Sequence, residues 1–281
     1  MNESQRITEI TRRRGWFDFN LRELWHYRDL IFLFVRRDFV AIYKQTILGP
    51  FWFLLQPIIT TLIFTVVFSK IIGVRTGVVP PILFYLSGVV VWNYFASCLT
   101  RTSDVLVANA GIFGKVYFPR LAVPVANVIV NLLTFLFQFL LFAGVLWYYR
   151  LTGDLIRPNL YLLLLPLLFL QIAALGLGVG ILVSSLTTKY RDLAFLTGFA
   201  VQLWMYATPI VYPVSMVPES WQWFYHLNPM TSVVEIFRHA FWGDGSVNLW
   251  WGTLGLIETV ALLAVAVTVF CCTEKTFMDS V

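Results

Sequence analysis

Apolar residues in this chain come in long blocks separated by short charged patches. No Asp, Glu, Lys or Arg occurs in residues 46–69, 76–100, 121–149, 158–188 or 193–218, and residues 250–272 contain only Glu258. A helix crossing the hydrocarbon core needs about 20 apolar residues, roughly 30 Å at 1.5 Å per residue. Each block is long enough, and a water-soluble fold could not cover so many, so lipid must be the solvent. The pattern predicts an all-α integral membrane protein with six transmembrane helices at about residues 50–70, 81–99, 121–148, 160–186, 193–213 and 250–272.

The segments outside these blocks divide the rest of the chain. Residues 1–20 form a polar lead. It does not read as a signal peptide, because no apolar core follows its charges, and the twin-arginine look-alike at Arg12-Arg13-Arg14 runs on into polar sequence. In residues 21–45, Leu21, Leu24, Trp25, Ile31, Phe32, Val35, Phe39 and Ile42 recur at helical spacing, interrupted by Arg22, His26, Asp29, Arg36 and Arg37. That pattern suits an amphipathic helix lying in the membrane interface, since its charges oppose a crossing. Residues 46–281 then form the six-span domain. Within it, Tyr212–Leu249 carries Trp221, Trp223, Phe224, Tyr225, Phe237, Phe241 and Trp242 with few charges, and is expected to fold into short re-entrant or interfacial helices at the external mouth.

Lys and Arg orient the spans. The N-terminal arm, residues 100–120, residues 187–192 and the tail together hold 15 of the 20 basic residues, whereas the opposite side holds only Lys70, Arg75, Arg150, Arg157 and Arg238. The positive-inside rule therefore puts both termini in the cytoplasm and demands an even number of spans.

Composition narrows the class further. The chain is 59% hydrophobic and 12% charged, leaving little room for a folded soluble domain. The net charge of +5 concentrates in the N-terminal arm, where it fits anionic lipid and not a nucleic-acid partner. Cys98, Cys271 and Cys272 lack metal-ligand spacing and read as reduced bystanders. His26, His226 and His239 fall on both sides of the membrane, so neither a metal cluster nor a nucleophile–base pair is indicated. Gly111-Ile112-Phe113-Gly114-Lys115 has too few residues between its glycines for a phosphate-binding loop, and no Ser or Thr follows the lysine. Gly176, Gly178 and Gly180 lie mid-span, where glycines serve close helix packing. None of this points to an enzyme.

Short motifs remain at the span ends. They are Tyr43-Lys44-Gln45-Thr46-Ile47-Leu48-Gly49-Pro50-Phe51-Trp52 with Gln56-Pro57, Lys115-Val116-Tyr117-Phe118-Pro119-Arg120, Tyr190-Arg191-Asp192, Thr208-Pro209-Ile210-Val211-Tyr212 and Asn228-Pro229. In their order and spacing they resemble the permease subunit of ABC-type polysaccharide exporters, the Wzm-like group of the type-2 ABC export superfamily. The resemblance runs from about Leu21 to the last span. It implies a bundle that pairs as a homodimer in the bacterial cytoplasmic (inner) membrane. Two separate ATP-binding cassette subunits would hold ATP and magnesium, this chain would bind no cofactor, and the cargo would be a lipid-linked polysaccharide of O-antigen, capsule or teichoic-acid type.

The same resemblance assigns roles. The cytoplasmic loops and the N-terminal helix would meet the ATPase, which singles out Tyr190, Arg191, Asp192, Phe118, Arg120, Arg36 and Arg37; ordinary membrane-flanking residues are the plainer reading. The first and fifth spans would line the path, through Trp52, Phe53, Gln56, Phe64, Phe199, Trp204 and Tyr206, with Tyr85, Trp92 and Tyr94 as second choices. Sugar C–H faces stack on aromatic rings, yet core and interface-belt roles account for most rings in any membrane protein. Glu258, inside the last span, either faces the channel or dimer contact or sits at the headgroups. Two other readings stay open: a drug or small-lipid exporter of the same fold, and a membrane-embedded polyprenyl-lipid transferase.

Overall fold

The computed structural model describes residues 21–44, 49–77, 79–113, 118–153, 158–190, 192–243 and 248–277, and among them there is no strand. The helices are α1 (Leu21–His26), α2 (Arg28–Tyr43), α3 (Trp52–Phe64), α4 (Pro81–Ser103), α5 (Val105–Ala108), α6 (Ala110–Phe113), α7 (Ala122–Leu151), α8 (Leu165–Thr187), α9 (Leu193–Tyr206), α10 (Glu219–His226), α11 (Pro229–Trp242) and α12 (Leu249–Phe277). Five stretches are long and apolar enough to cross a bilayer: Gly49–Ile71, Pro81–Ser103, Ala122–Leu151, Leu160–Thr187 and Leu249–Thr273. The protein is a multi-pass membrane protein.

The predicted fifth span is shorter than its apolar block. α9 has 14 residues, about 21 Å at 1.5 Å per residue, and stops at Tyr206 instead of running to residue 213. Pro209 has no N–H to continue the ladder, and the Ile210 N–H turns back to the Thr208 carbonyl at 2.7 Å. α3 continues as a π-turn over Thr65–Ile71, closed by the Ile72 N–H on the Val67 carbonyl at 3.0 Å.

α4 is the buried axis of the bundle, and the mid-span glycines of α8 let it come close. A Cβ on Gly176 would lie 2.7 Å from Cys98 Cβ, and one on Gly180 would lie 2.6 Å from Thr102 Cβ. Gly178, on the opposite face, admits Leu262 and Leu263 of α12. Small residues four apart allow this backbone approach where lipid supplies no hydrophobic drive between helices.

One apolar cluster joins Ile31, Phe34 and Val35 of α2 to Val123, Ala126 and Val130 of α7, Ile181 of α8, and Ala266 and Phe270 of α12. The N-terminal helix and the late part of the last helix therefore share one end of the bundle. Phe34 of α2 is buried with Ile31 and Val35, while Trp25 of α1 and Phe32 and Leu33 of α2 are exposed. Residue 27 breaks the expected helix into α1 and α2.

At the other end, α11 is almost wholly buried, so its backbone ends must be satisfied by the protein. Asn228 caps the start, accepting from the Met230 N–H, with Pro229 in the first turn. Gly243 ends the helix in the left-handed region at φ 69°, and its N–H reaches the His239 carbonyl at 2.9 Å. Asn159 completes the end through its backbone N–H on the Ala240 carbonyl and its amide on the His239 carbonyl.

Candidate functional site

Three places collect the chemistry-bearing residues. The first is the α2 end. Phe118 is buried against Phe34 and Phe113, at ring distances of 5.7 and 5.6 Å, and the Arg120 guanidinium lies 5.6 Å from the Phe113 ring. Phe118-Pro119-Arg120 thus docks α2 on the start of α7. Arg36 and Arg37 point outward, with Arg37 Nε donating to Asp38 at 2.7 Å. Asp192 is exposed at the N-cap position of α9, and no side-chain hydrogen bond caps that helix. Tyr190 is exposed too, with Lys189 Nζ 5.5 Å from its ring, and Arg191 lies outside the described residues.

The second place is a cleft of ≈ 640 Å³ between α3, α4 and α7. Trp52, Phe53 and Gln56 line it, facing Asn93, Ser97 and Arg101 of α4 and Asn131, Thr134 and Gln138 of α7. The other aromatic candidates separate into two groups. Phe64, Tyr85, Trp92 and Tyr94 are buried in the core, Tyr94 stacking on Phe135 at 4.7 Å and Phe64 meeting Tyr85 at 6.3 Å. Phe199 and Tyr206 stand exposed on α9.

The third place is the far end, where two of the motifs meet. Asn228 Oδ1 accepts from Trp204 Nε1 at 3.1 Å, and Asn228 Nδ2 donates to Thr208 Oγ1 at 2.9 Å. Thr208 Oγ1 in turn donates to the Trp204 carbonyl. Asn228-Pro229 and Thr208-Pro209 thus form one clamp between the end of α9 and the start of α11. Trp204 also packs edge-on against Phe95 and borders a cleft of ≈ 520 Å³ with Trp221, Phe224 and Tyr225. Tyr212 Oη donates to the Tyr206 carbonyl at 2.7 Å and lies 3.0 Å from Tyr225 Oη.

Arg238, read from sequence as a far-side loop charge, is buried here. Its guanidinium donates to the carbonyls of Pro209 (2.7 Å) and Ile210 (2.8 Å), and to the Phe84 carbonyl and Ser87 Oγ at 3.3 Å each. It also lies 3.7 Å over the Phe84 ring. Gly88 leaves the room, because a Cβ there would come within 2.9 Å of an Arg238 nitrogen. The only sequence hint was a lone arginine inside an aromatic, nearly uncharged stretch.

Beside it, His226 Nδ1 lies 3.7 Å from a Glu235 oxygen, and its ring stacks on Trp251 at 4.9 Å. Burial pushes the Glu235 carboxyl up to about 7, against the opposing pull of Arg238, and burial lowers His226. A carboxyl raised in the fold adds stability below its ordinary 4.5 that is lost as pH rises towards 7, while a buried neutral histidine loses stability as pH falls below 6.5. The two oppose one another. Glu235→Gln leaves the histidine alone, so the melting temperature should fall more steeply than in the wild type on acidification from pH 6.5 to 4.5. Parallel curves in detergent would exclude this coupling.

Glu258 is half-buried in α12, and one of its oxygens is buried without a hydrogen-bond partner. Cys98, Cys271 and Cys272 are not joined in disulfides, and among the described residues no group of His, Cys, Asp and Glu could hold a metal ion.

Comparison with known proteins accounts for this frame. The family described as ABC-2 type transporter matches residues 29–242. The chain belongs to the ABC-2 type transporter family. It is a transporter component and not an enzyme. This ABC-2 type transporter chain is 28% identical over 243 residues to the O-antigen export system permease protein RfbA of Klebsiella pneumoniae, covering 86% of this chain and 91% of that one. It is 25% identical over 226 residues to the RfbA protein of Myxococcus xanthus, covering 79% and 84%. The polysialic acid transport protein KpsM of Escherichia coli is 22% identical over 194 residues, covering 69% and 73%. The family match runs from α2 to the end of α11, so the α2 docking cluster, the intramembrane cleft and the Asn228 clamp all lie within it.

Proposed function

We propose that this chain is the permease of an ABC exporter that moves a lipid-linked polysaccharide across the bacterial cytoplasmic membrane. Two copies pair, and two separate ATP-binding cassette subunits supply ATP hydrolysis with magnesium. The observation that carries this reading is the near full-length alignment with permeases named for O-antigen export. Those names favour a glycan cargo over a drug or small lipid.

The structure supports the arrangement in three ways. α2 and the late part of α12 share one end, as six crossings with both termini in the cytoplasm require, with α9 as the short fifth. Tyr190 and Asp192 stand exposed beyond α8, the end that also meets α5, where an ATPase can reach them. α3 and α9 leave broad apolar faces uncovered, among them Ile59, Leu62 and Ile63 on one and Phe195, Phe199 and Leu203 on the other, available to lipid and to the second copy.

Co-expression with a candidate ATP-binding cassette partner tests the reading. A stable complex of two permeases and two ATPases is expected, and Arg191→Ala with Asp192→Ala should weaken its assembly or hydrolysis. A chain that purifies alone, indifferent to any ATPase, and whose deletion leaves surface polysaccharide unchanged, would overturn it.

A further inference from the structure

The first span changes its winding before it ends. α3 gives way at Thr65 to the π-turn that runs to Ile71. The Ile72 N–H reaches five residues back to the Val67 carbonyl at 3.0 Å, and the Val74 N–H six back to the Phe68 carbonyl at 2.8 Å. Such winding is rare and occurs mostly as a single turn inside an α-helix. No Pro or Gly lies between Thr65 and Ile71 to force it. The local cause is Thr65, whose hydroxyl donates to the Thr61 carbonyl at 2.7 Å while its N–H is shared between the Thr61 and Leu62 carbonyls. A hydroxyl bonded to the carbonyl four residues back loosens and bends a helix.

Little holds this segment to its neighbours. Among the described residues no hydrogen bond or ion pair joins Gly49–Ile71 to another helix. Its contact with α4 runs through rings, Phe64 and Phe68 meeting Tyr85 at 6.3 and 6.5 Å, and the buried hydroxyls of Tyr85 and Thr61 have no partner. Apolar contact is not directional, so it resists sliding less than a hydrogen bond does. By contrast, α7 is tied to α4 by Asn127 on the Arg101 carbonyl, and α11 by Arg238 on the Phe84 carbonyl. Beyond the segment, Gly73 sits at φ 81° with open space where a side chain would lie. The chain is then fixed again, because Val74 is buried and Thr76 Oγ1 donates to the Val79 carbonyl at 3.0 Å. Gly73 is the swivel between a loosely held helix end and an anchored loop.

A π-turn and an α-turn over the same residues differ by one step of hydrogen-bond register. Passing from one to the other sends the spare residue into the Gly73 turn. It rotates the helix beyond the change by about 100° and moves it about 1.5 Å along the axis. Two discrete packings of one segment are the kind of element on which a conformational change is built. We infer that Thr65–Ile71 is a joint, on which the outer end of the first span turns against α4 while the rest of α3 stays in place. The joint belongs to the chain by itself; that ATP hydrolysis works it during transport rests on the export reading.

Distances between spin labels test it, on the full chain in nanodiscs with a candidate ATP-binding cassette partner, before and after ATP is trapped. Cys271 and Cys272 are replaced by Ser, and labels go on Ile71→Cys with Leu151→Cys, exposed positions at the outer ends of the first span and α7. Ile63→Cys with Leu140→Cys, exposed further in on the same two spans, is the control. Trapping ATP should move the outer pair by several ångströms, as a turn of about 100° on a helix about 10 Å across requires, and leave the control pair unmoved. Deletion of Val66 removes the spare residue and converts the π-turn to an α-turn with both flanks facing as before. That variant should bind the ATPase and melt no lower than wild type, yet lose both the distance response and transport. A single outer-pair distance that ATP leaves unchanged would overturn the joint, and so would a deletion variant that transports like wild type. Where the deletion variant does not assemble, the distances in the undeleted protein decide alone. A chain that binds no ATPase overturns the export reading instead. The joint then stands if the chain alone shows two outer-pair distances, and falls if it shows one.

Discussion

Arg238→Ala is expected to abolish the accumulation of folded protein. The side chain is 6% exposed and joins three elements: α11, which carries it, α4, and the turn after α9. Truncation leaves the Pro209 and Ile210 carbonyls, which lie outside any helix, buried without this donor. An unmet buried acceptor costs about 1–3 kcal/mol, and the lost contact with the Phe84 ring adds up to about 2 kcal/mol. The sum approaches the whole stability of an ordinary domain, about 5–15 kcal/mol. Arg238→Lys keeps the charge but cannot spread a planar fork over four acceptors, so it should fall between alanine and wild type. Arg150→Ala, at an exposed position, is the control. Size-exclusion profiles and melting curves in detergent decide the matter. If Arg238→Ala melts within a few degrees of wild type, the guanidinium does not hold this end together.

Much of the frame was legible because it rests on strong one-dimensional signals. Charge-free blocks mark membrane helices, since each ionisable group in lipid is expensive. The glycines of α8 were readable as packing residues for the same reason: no ionisable residue on that helix competes with them for a role. The end of α9 was less so, because its apolar block continues to residue 218 while Pro209 breaks the helix earlier, and hydropathy does not register that break. Arg238 escaped for a different reason. Its hydrogen-bond partners are three backbone carbonyls and the Ser87 hydroxyl, which no sequence pattern marks out.

The functional residues divide along the same line. Thr208-Pro209 and Asn228-Pro229 were visible as motifs, but only the fold shows them hydrogen-bonded to each other. Reading aromatics as path residues could not separate Tyr94, stacked in the core, from Phe199, exposed on α9, because ring chemistry is the same in both places. Asn127, Asn131, Thr134 and Gln138 repeat at steps of four, three and four along one face of α7, a polar stripe that the hydropathy of the span conceals. Asn127 spends its amide on the Arg101 carbonyl at 3.1 Å, tying α7 to α4 at the α2 end of the cleft.

That tie makes the spacing of α4 the quantity on which both the cleft and the Arg238 staple depend, and Gly180→Val should disturb it most. A Cβ on Gly180 would lie 2.6 Å from Thr102 Cβ and 2.9 Å from the Leu99 carbonyl, which is backbone and cannot swing away. α4 and α8 must then part. Overpacking costs about 1–3 kcal/mol where side chains can yield, and a backbone obstacle puts this substitution at or above that range. Gly178→Ala meets Leu262 Cδ2 at 2.7 Å, a side-chain tip that can swing, and the Leu263 Cα only at 3.2 Å, and should cost less. Gly144→Ala has nothing within 4 Å and should gain up to about 1 kcal/mol from helix propensity. Melting temperatures are therefore expected to rank Gly144→Ala above wild type, then Gly178→Ala, then Gly180→Val. If α4 positions the cleft, transport in Gly180→Val should be lost even in the fraction that still folds and binds its ATPase. A Gly180→Val protein that melts and transports like wild type would show that α8 does not set the position of α4.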